Sequence, residues 1–154
     1  MDYTLQKAVE LGVVEISPVI TRRSAPLGER ERIDKRWSHW HGVIVAACEQ
    51  CGRARVPELG PLQTLGAFLQ RAVDSGSRAY VLDPTGSRRL RDEISPAGPV
   101  SLLIGPEGGL EDTEVMAATR AGFRPLAVGP RTLRTETAGL VALAALQVLW
   151  GDLG

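Results

Sequence analysis

The sequence is poor in cysteine, lacks long apolar runs and carries no excess charge of either sign. With only 2 cysteines in 154 residues, a disulfide framework is not expected, and a reducing cytoplasm is the expected setting. No apolar stretch reaches the roughly 18 residues that a membrane span needs. The first residues show no basic start followed by an apolar core, so we expect neither a signal peptide nor a membrane partner. The 18 basic residues equal the 18 acidic ones, which argues against bulk attraction to a polyanion but leaves room for a local basic face.

What the sequence does contain is an alternation of strands and helices. Hydrophobic residues make up 44% of the chain and charged residues 23%, as is typical of one globular domain. Short apolar runs predict four strands, at 13–16, 79–82, 101–104 and 125–128. Apolar positions spaced by three and four predict four helices, at 34–51, 64–75, 111–121 and 135–149. The polar segment 24–33 predicts a loop, and the last helix is apolar nearly all round, which predicts burial. The order indicates an α/β fold with a mostly parallel sheet flanked by helices.

Three unusual loops follow the carboxyl ends of predicted strands, at 82–86, 105–110 and 129–135. In open parallel sheets, ligands bind beyond the carboxyl ends of the strands. We therefore expect the three loops to meet around one pocket.

The second of these loops reads Gly105-Pro106-Glu107-Gly108-Gly109. A phosphate-binding loop needs a lysine and a hydroxyl directly after its glycines, and a dinucleotide fingerprint needs a different glycine spacing. A carboxylate in the middle of the loop would repel a polyphosphate. Bare backbone beside Glu107 suits a ligand with hydrogen-bonding edges and a positive centre, although a tight turn that needs glycine's freedom explains the glycines equally well.

The third loop leads into the apolar helix through Arg131 and Arg134. Thr135 or Thr137 is expected to cap this helix, and Glu136 suits its positive end. A helix N-terminus next to Arg134 can bind a ligand carboxylate. A well-capped core helix is the alternative, and the two interpretations are compatible.

The stretch 46–58 contains Cys48-x-x-Cys51 near the end of a predicted helix. A redox pair normally begins a helix, and ligands along one helix face cannot surround a tetrahedral metal. We therefore expect no metal and two small core-facing cysteines. Glu49, Arg53 and Arg55 form a polar cluster here that can meet RNA phosphates or a base edge. Arginines also cluster elsewhere, as at 22–23, where solvated surface is the simpler interpretation.

Taken together, four stretches closely resemble the ribosomal RNA small subunit methyltransferase E family of the SPOUT superfamily. They are "LQKAVELGV" (5–13), "AACEQCGRARVPE" (46–58), "LLIGPEGGL" (102–110) and "GPRTLRTETAGLVALAALQVLWGDLG" (129–154). The resemblance implies homodimers with a carboxy-terminal trefoil knot. It also implies that the enzyme methylates N3 of one uridine in small-subunit (16S) ribosomal RNA with S-adenosylmethionine. The expected ligand of the glycine loop is then S-adenosylmethionine, which carries no phosphate.

The resemblance also implies roles for particular residues. Those expected to hold the cofactor are Leu82, Gly105, Glu107, Gly108, Gly109, Gly129, Leu133, Thr135 and Thr137. Arg134 is expected to steady charge on the uracil, with Glu49 or Glu136 assisting proton removal. The residues expected to bind RNA are Arg53, Arg55, Arg22 and Arg23.

In two respects the sequence departs from the family. Members carry an amino-terminal PUA-like RNA-binding domain before the segment at 5–13, so we expect residues 1–154 to be the SPOUT catalytic domain alone. Relatives often have serine where Glu111 stands, and we expect Asp112 to substitute as the helix cap. A SPOUT methyltransferase acting on transfer RNA, a non-catalytic RNA-binding module and a nucleotide-phosphate enzyme remain the alternatives, the last of these lacking its lysine.

Overall fold

The computed structural model of the protein describes residues 1–24 and 30–154. In chain order the helices are α1 (Asp2–Glu10), α2 (Arg30–Cys51), α3 (Leu65–Asp74), α4 (Asp112–Arg120) and α5 (Thr135–Trp150). The strands are β1 (Glu15–Ile16), β2 (Val19–Ile20), β3 (Glu58–Leu59), β4 (Gln63–Thr64), β5 (Arg78–Leu82), β6 (Val100–Leu103) and β7 (Arg124–Leu126). Within the described ranges, no helix is both long and apolar enough to cross a membrane.

The main sheet has three parallel strands in the order β6-β5-β7. The central position of β5 explains why Ala79, Tyr80 and Val81 are buried. Two short parallel pairs, β1 with β3 and β2 with β4, accompany it. Pro18 separates β1 from β2, since proline has no N–H to give to a ladder. Every pairing of named strands is parallel, which confirms the α/β prediction with helices on the sheet.

Of the three apolar clusters in the described residues, one packs α5 against Tyr80 of β5 and Leu126 of β7, and two hold the other helices. One joins α3 and α4 to β5 and β6 through Leu69, Val81, Leu103, Ala118 and Phe123. The other joins α1 and α2, with Leu5, Val9, Ile44, Ala47, Cys48 and Leu59 at its centre. These clusters fix the helices on the sheet and leave the carboxyl ends of β5, β6 and β7 free to present loops.

Several predicted boundaries were wrong at the amino-terminal side. The segment 24–33 was predicted as a loop, but α2 already begins at Arg30; residues 25–29 lie outside the described part of the chain. The predicted strand at 13–16 shrinks to Glu15–Ile16, and α1 was not predicted at all. The predicted end of α2 is confirmed, because the helix stops at Cys51 and Gly52 adopts φ +75°.

The apolar helix α5 is less buried than its composition predicts. Only Gly139 and Ala142 along it are buried, whereas Val141 and Val148 are 42% and 56% exposed. A shallow groove of about 310 Å³ runs between α1 and α5, lined by Tyr3, Lys7, Glu10, Leu11, Leu140, Val141 and Ala144. One side of α5 is thus an apolar surface that the described residues of this chain do not cover.

A charged network links the outer strand β7 to the segment after β5. Glu93 is only 7% exposed at its side chain and accepts from Arg88 at 3.1 Å, Arg124 at 2.7 Å and the Tyr80 hydroxyl at 3.1 Å. Burial acts to raise the pKa of Glu93, but the hydrogen bonds from Arg124, Arg88 and Tyr80 outweigh it, so the pKa lies below its ordinary 4.5. Burial and the nearby Glu93 charge raise the pKa of Tyr80.

We expect Glu93→Gln to lower the free energy of unfolding by about 1–2 kcal/mol at pH 7, because both arginines lose their charged partner but remain half exposed. Folding lowers the Glu93 pKa, so the contribution of Glu93 to the free energy of unfolding is present above pH 4.5. This contribution is lost as pH falls below 4.5 through the lower pKa that Glu93 has in the folded protein. Urea unfolding from pH 7 to pH 3 should therefore show the gap between the two proteins closing in acid. The control is Asp92→Asn, whose carboxylate is 68% exposed; a gap that is constant with pH would contradict the assignment.

Candidate functional site

The three loops predicted to converge do line one cleft. Its volume is about 350 Å³, and its walls come from 82–84, 104–110 and 128–135, with Val115, Leu126 and Ala138 completing the lining. Each loop follows the carboxyl end of a strand in the β6-β5-β7 sheet. Parallel pairing brings the three ends to one edge of the sheet, which is why segments as far apart in the chain as Leu82 and Thr135 meet here.

Glycine is required in the second loop because the backbone folds back on itself. A Cβ on Gly105 would lie 2.9 Å from the Leu110 nitrogen, which is closer than non-bonded atoms approach. Gly109 adopts φ +72°, a conformation that residues with a Cβ seldom adopt, and its N–H donates to the Pro106 carbonyl at 2.8 Å. The result is a tight loop that exposes backbone groups and the Glu107 carboxylate to the cleft.

The first loop contributes a second carboxylate, Asp83, which the sequence analysis did not single out. One of its oxygens accepts from the backbone N–H and the hydroxyl of Thr85, both at 2.8 Å. Its backbone N–H donates to Leu126 at 3.0 Å, which ties the loop to β7. The Asp83-Pro84-Thr85-Gly86 turn was predicted, and its position at a strand end was the signal that could have identified Asp83 as a cleft residue.

The third loop and α5 bring positive groups to the cleft. Arg131, Thr132 and Arg134 line it. The prediction that Thr135 or Thr137 caps α5 was wrong: Arg134 occupies the N-cap position, without a side-chain cap bond. The helix begins at Thr135, as predicted, and the Arg134 carbonyl accepts from the N–H groups of Thr137 and Ala138 at 3.0 and 2.8 Å. The first N–H groups of α5 therefore lie at the cleft uncapped, where they favour an anionic group.

The predicted site residues divide between those that line the cleft and those that do not. The lining set includes Arg134 and every predicted cofactor residue except Thr137: Leu82, Gly105, Glu107, Gly108, Gly109, Gly129, Leu133 and Thr135. Thr137, Glu136 and Glu49 are outside the cleft lining, and Glu49 is exposed on α2. Sequence reasoning missed the apolar part of the wall, formed by Ile104, Leu110, Val115 and Val128.

Residues near the end of α2 have mainly structural contacts. Arg53 donates through Nη1 to the carbonyls of Val9 and Val13, at 3.0 and 2.7 Å, and thereby ties α2 to the end of α1. Arg55 is exposed. Both cysteines were predicted to face the core; Cys48 is buried, but Cys51 is exposed, so that half of the prediction was wrong. In the described residues, no three His, Cys, Asp or Glu side chains are grouped to hold a metal ion.

Arg22 and Arg23 lie against the loop at 105–110 and the start of α4. The nearest oxygens of Glu111 are 3.6 Å from Arg22 Nε and 3.9 Å from Arg23 Nε. The expectation that Asp112 replaces the missing serine cap was wrong, because Glu111 itself occupies the N-cap position of α4. The Glu114 carboxylate accepts from the Glu111 N–H at 2.9 Å, so the helix end is satisfied without a serine.

A cleft at the carboxyl edge of a parallel sheet, walled by glycine loops and an uncapped helix, defines a small-molecule-binding α/β domain. The chain belongs to the RNA methyltransferase domain family, whose model matches residues 1–147. It is 33% identical over 153 residues to ribosomal RNA small subunit methyltransferase E of Buchnera aphidicola subsp. Schizaphis graminum, covering 99% of this chain and 62% of that protein.

Two solved structures show the same fold. One is ribosomal RNA small subunit methyltransferase E from Neisseria gonorrhoeae bound to S-adenosylmethionine, at 40% identity and TM-score 0.93, covering 100% of this chain and 62% of that one. The other is a Legionella pneumophila protein in complex with the same cofactor, at 42% identity and TM-score 0.93, covering 99% of this chain and 62% of that one. The chain thus spans 62% of the length of each of these relatives.

Proposed function

We propose that the cleft binds S-adenosylmethionine and that the protein methylates N3 of a uridine in small-subunit ribosomal RNA. The observation that carries the proposal is the convergence of the three strand-end loops on one cleft. The match to the RNA methyltransferase family supports the reaction class. The relatives named for small-subunit ribosomal RNA support the substrate.

The lining residues fit the chemistry of this methyl donor. A volume of about 350 Å³ falls in the usual range for small-molecule sites, about 300–1,000 Å³. Backbone groups of 105–109 suit the edges of adenine, and the apolar wall suits its faces. The positive charge of Arg131 and the free N–H groups at the start of α5 suit the carboxylate of the donor's methionine part. The carboxylates of Asp83 and Glu107 suit the ammonium group of the methionine part and are compatible with the positive sulfonium. The lining contains no lysine among its described residues, which disfavours a polyphosphate.

The residue that we propose to act on the uracil is Arg134, which lines the cleft. Methyl transfer forms an N3–C bond and breaks the donor's S–C bond, and the N3 proton leaves to a base or to water. S-adenosylmethionine supplies the methyl group as an electrophile. Arg134, at the cleft and exposed, would stabilise negative charge on the uracil oxygens as N3 loses its proton. Glu49 and Glu136 remain predictions for the base, and Thr137 for cofactor binding.

The RNA surface is proposed to include the exposed guanidinium groups of Arg22 and Arg55. Arg22 is 72% exposed at its side chain, and Arg55 is also exposed. Arg53 was predicted with them, but Nη1 of its guanidinium is already bonded to two carbonyls. In our proposal Arg53 therefore acts mainly by holding the end of α2, which carries Arg55.

Titration calorimetry tests the proposal in two stages. The 154-residue chain should release or absorb heat with S-adenosylmethionine and much less with ATP, because the Asp83 and Glu107 carboxylates of the cleft repel a triphosphate. Absence of binding would favour the non-catalytic RNA-binding module. Mass spectrometry of nucleosides from treated ribosomal and transfer RNA then separates the small-subunit substrate from the transfer RNA alternative.

The proposal also covers the domain organisation, the knot, the cellular location and the oligomeric state of the protein. We propose that residues 1–154 form one SPOUT domain, that its carboxy-terminal part is knotted, and that it works in the cytoplasm. The closeness of α5 to the end of β6 is consistent with a knot, since a Cβ at Gly139 would lie 2.7 Å from the Ile104 side-chain atom Cδ1. A homodimer is supported by the uncovered apolar side of α5, because exposed apolar patches of this kind mark association surfaces.

We expect Val141→Asp combined with Val148→Asp to convert the dimer into a monomer. The two positions are seven residues apart, on one face of α5, and two carboxylates cannot be buried there without a partner. Sedimentation velocity at micromolar concentration should give a dimer for the parent chain and a monomer for the variant. Ile94→Asp, at an 82% exposed position, is the control and should stay dimeric. A monomeric parent would refute the homodimer.

A further inference from the structure

The turn at Thr21–Ser24 is closed by hydrogen bonds between its first and last residues. The Thr21 N–H donates to the Ser24 hydroxyl at 3.0 Å, and the Ser24 N–H donates to the Thr21 carbonyl at 3.1 Å. Their two hydroxyls are 2.9 Å apart, and Thr21 is buried. Arg22 and Arg23 therefore project from a turn whose backbone is fixed at both ends.

A buried carboxylate fastens this turn to the start of α4. Glu114 is only 7% exposed. One of its oxygens accepts from the Arg22 N–H at 2.8 Å, and the other accepts from the Glu111 N–H at 2.9 Å. The turn and the residues directly after the 105–110 loop are thus joined through one side chain, across 92 positions of sequence.

The Arg23 side chain extends from the turn to the glycine loop itself. Its Nη1 donates to the Gly108 carbonyl at 2.9 Å. Its stem lies over Gly108 so closely that a Cβ there would be 3.3 Å from the Arg23 Cβ and 3.4 Å from its Cδ. On the other side of the same peptide, the Gly109 N–H donates to the Pro106 carbonyl at 2.8 Å.

We propose that Arg23 is a positioning residue for the cofactor loop, a role that rests on the proposed function of the cleft. The peptide between two glycines can rotate with little steric resistance. Arg23 holds its carbonyl while Pro106 holds its N–H, so the peptide keeps one orientation and the backbone groups facing the cleft keep theirs. This task differs from the RNA contact that the sequence predicted for Arg23, and it uses Nη1, which donates to the Gly108 carbonyl.

Cofactor affinity and amide exchange test this role on the 154-residue chain. Arg23→Met retains the stem but removes the donor, and it should weaken S-adenosylmethionine binding about tenfold in calorimetry, the loss expected for a hydrogen bond from a charged group. Arg23→Lys keeps a charged donor and should recover part of the loss. Hydrogen exchange of the Gly109 amide should accelerate in Arg23→Met even without cofactor. Arg120→Met removes an exposed arginine from α4 and is the matched control for both measurements.

The outcomes separate this inference from the proposed function. A parent chain that binds no S-adenosylmethionine overturns the function and leaves no cofactor loop for Arg23 to position. A parent that binds, with Arg23→Met binding equally well, overturns the inference alone. Equal losses in Arg23→Met and Arg120→Met also overturn it, because they would reflect net charge. Weaker binding, faster Gly109 exchange and partial recovery by lysine together support it.

Discussion

Replacing Arg134 by alanine is expected to lower methyl transfer to small-subunit ribosomal RNA by about a hundredfold or more. This is the size of effect seen when one preorganised donor to a developing negative charge is removed. Arg134 lines the cleft at the first turn of α5, and its guanidinium has no ion-pair partner in the described residues. It is therefore free to meet substrate. Cofactor affinity should change less than twofold, because the proposed partner of Arg134 is the uracil.

Nucleoside mass spectrometry after timed reactions measures the loss, and calorimetry with S-adenosylmethionine measures the retained affinity. Arg134→Lys should recover only part of the turnover, since a lysine keeps the charge but loses the planar fork of donors. Arg89→Ala, at an exposed arginine outside the cleft lining, is the control. Turnover unchanged by Arg134→Ala would remove this residue from the mechanism.

The second large effect is expected at Gly105. An alanine Cβ would stand 2.9 Å from the Leu110 nitrogen, and the obstacle is backbone, so no side-chain rotation relieves it. The 105–110 loop must open, which displaces the peptide groups that face the cleft. We expect Gly105→Ala to weaken S-adenosylmethionine binding about fivefold to hundredfold, because a shift of this kind costs about 1–3 kcal/mol.

A matched glycine controls for the substitution itself. Gly98 precedes β6, and a Cβ there meets nothing within 4 Å. Gly98→Ala should therefore bind the cofactor as the parent does and melt at the same temperature. If Gly105→Ala also binds S-adenosylmethionine with the parent's affinity while remaining folded, the 105–110 loop is not part of the cofactor site, and the proposed function is contradicted.

The part of the site that could be predicted from the sequence is the part set by residues close together in the chain. Gly105-Pro106 and Gly129-Pro130 each follow a short apolar run and so indicated where two strands end. The rule for ligand sites in parallel sheets then predicted that the loops lie together. The predicted end of α2 at Gly52 held for the same reason, since glycine readily takes the left-handed conformation that ends helices. Turns and helix ends could be predicted where the interactions that form them join residues only a few positions apart.

The rest depended on partners far away in the sequence. The sequence at 30–36 reads RERIDKR, with a single apolar residue, so no apolar periodicity predicted a helix start at Arg30. Arg23 contacts Gly108, 85 positions away, and Arg53 contacts Val9, 44 positions away. Neither contact produces a periodic pattern in the sequence from which it could be predicted. The apolar composition of α5 predicted that the helix is buried, but one side of it is exposed in this chain. Composition alone does not identify the surface that would cover that side.

The most direct test of the central claim is hydrogen exchange of the 154-residue chain with and without saturating S-adenosylmethionine. The account predicts that amides in 82–86, 105–110 and 129–135 become protected together, because one ligand contacts all three loops, and that amides of α1 and α2 change little. Protection confined to one loop, or protection on α1 and α2 with none at the three loops, would contradict a single cofactor cleft at the carboxyl edge of the sheet.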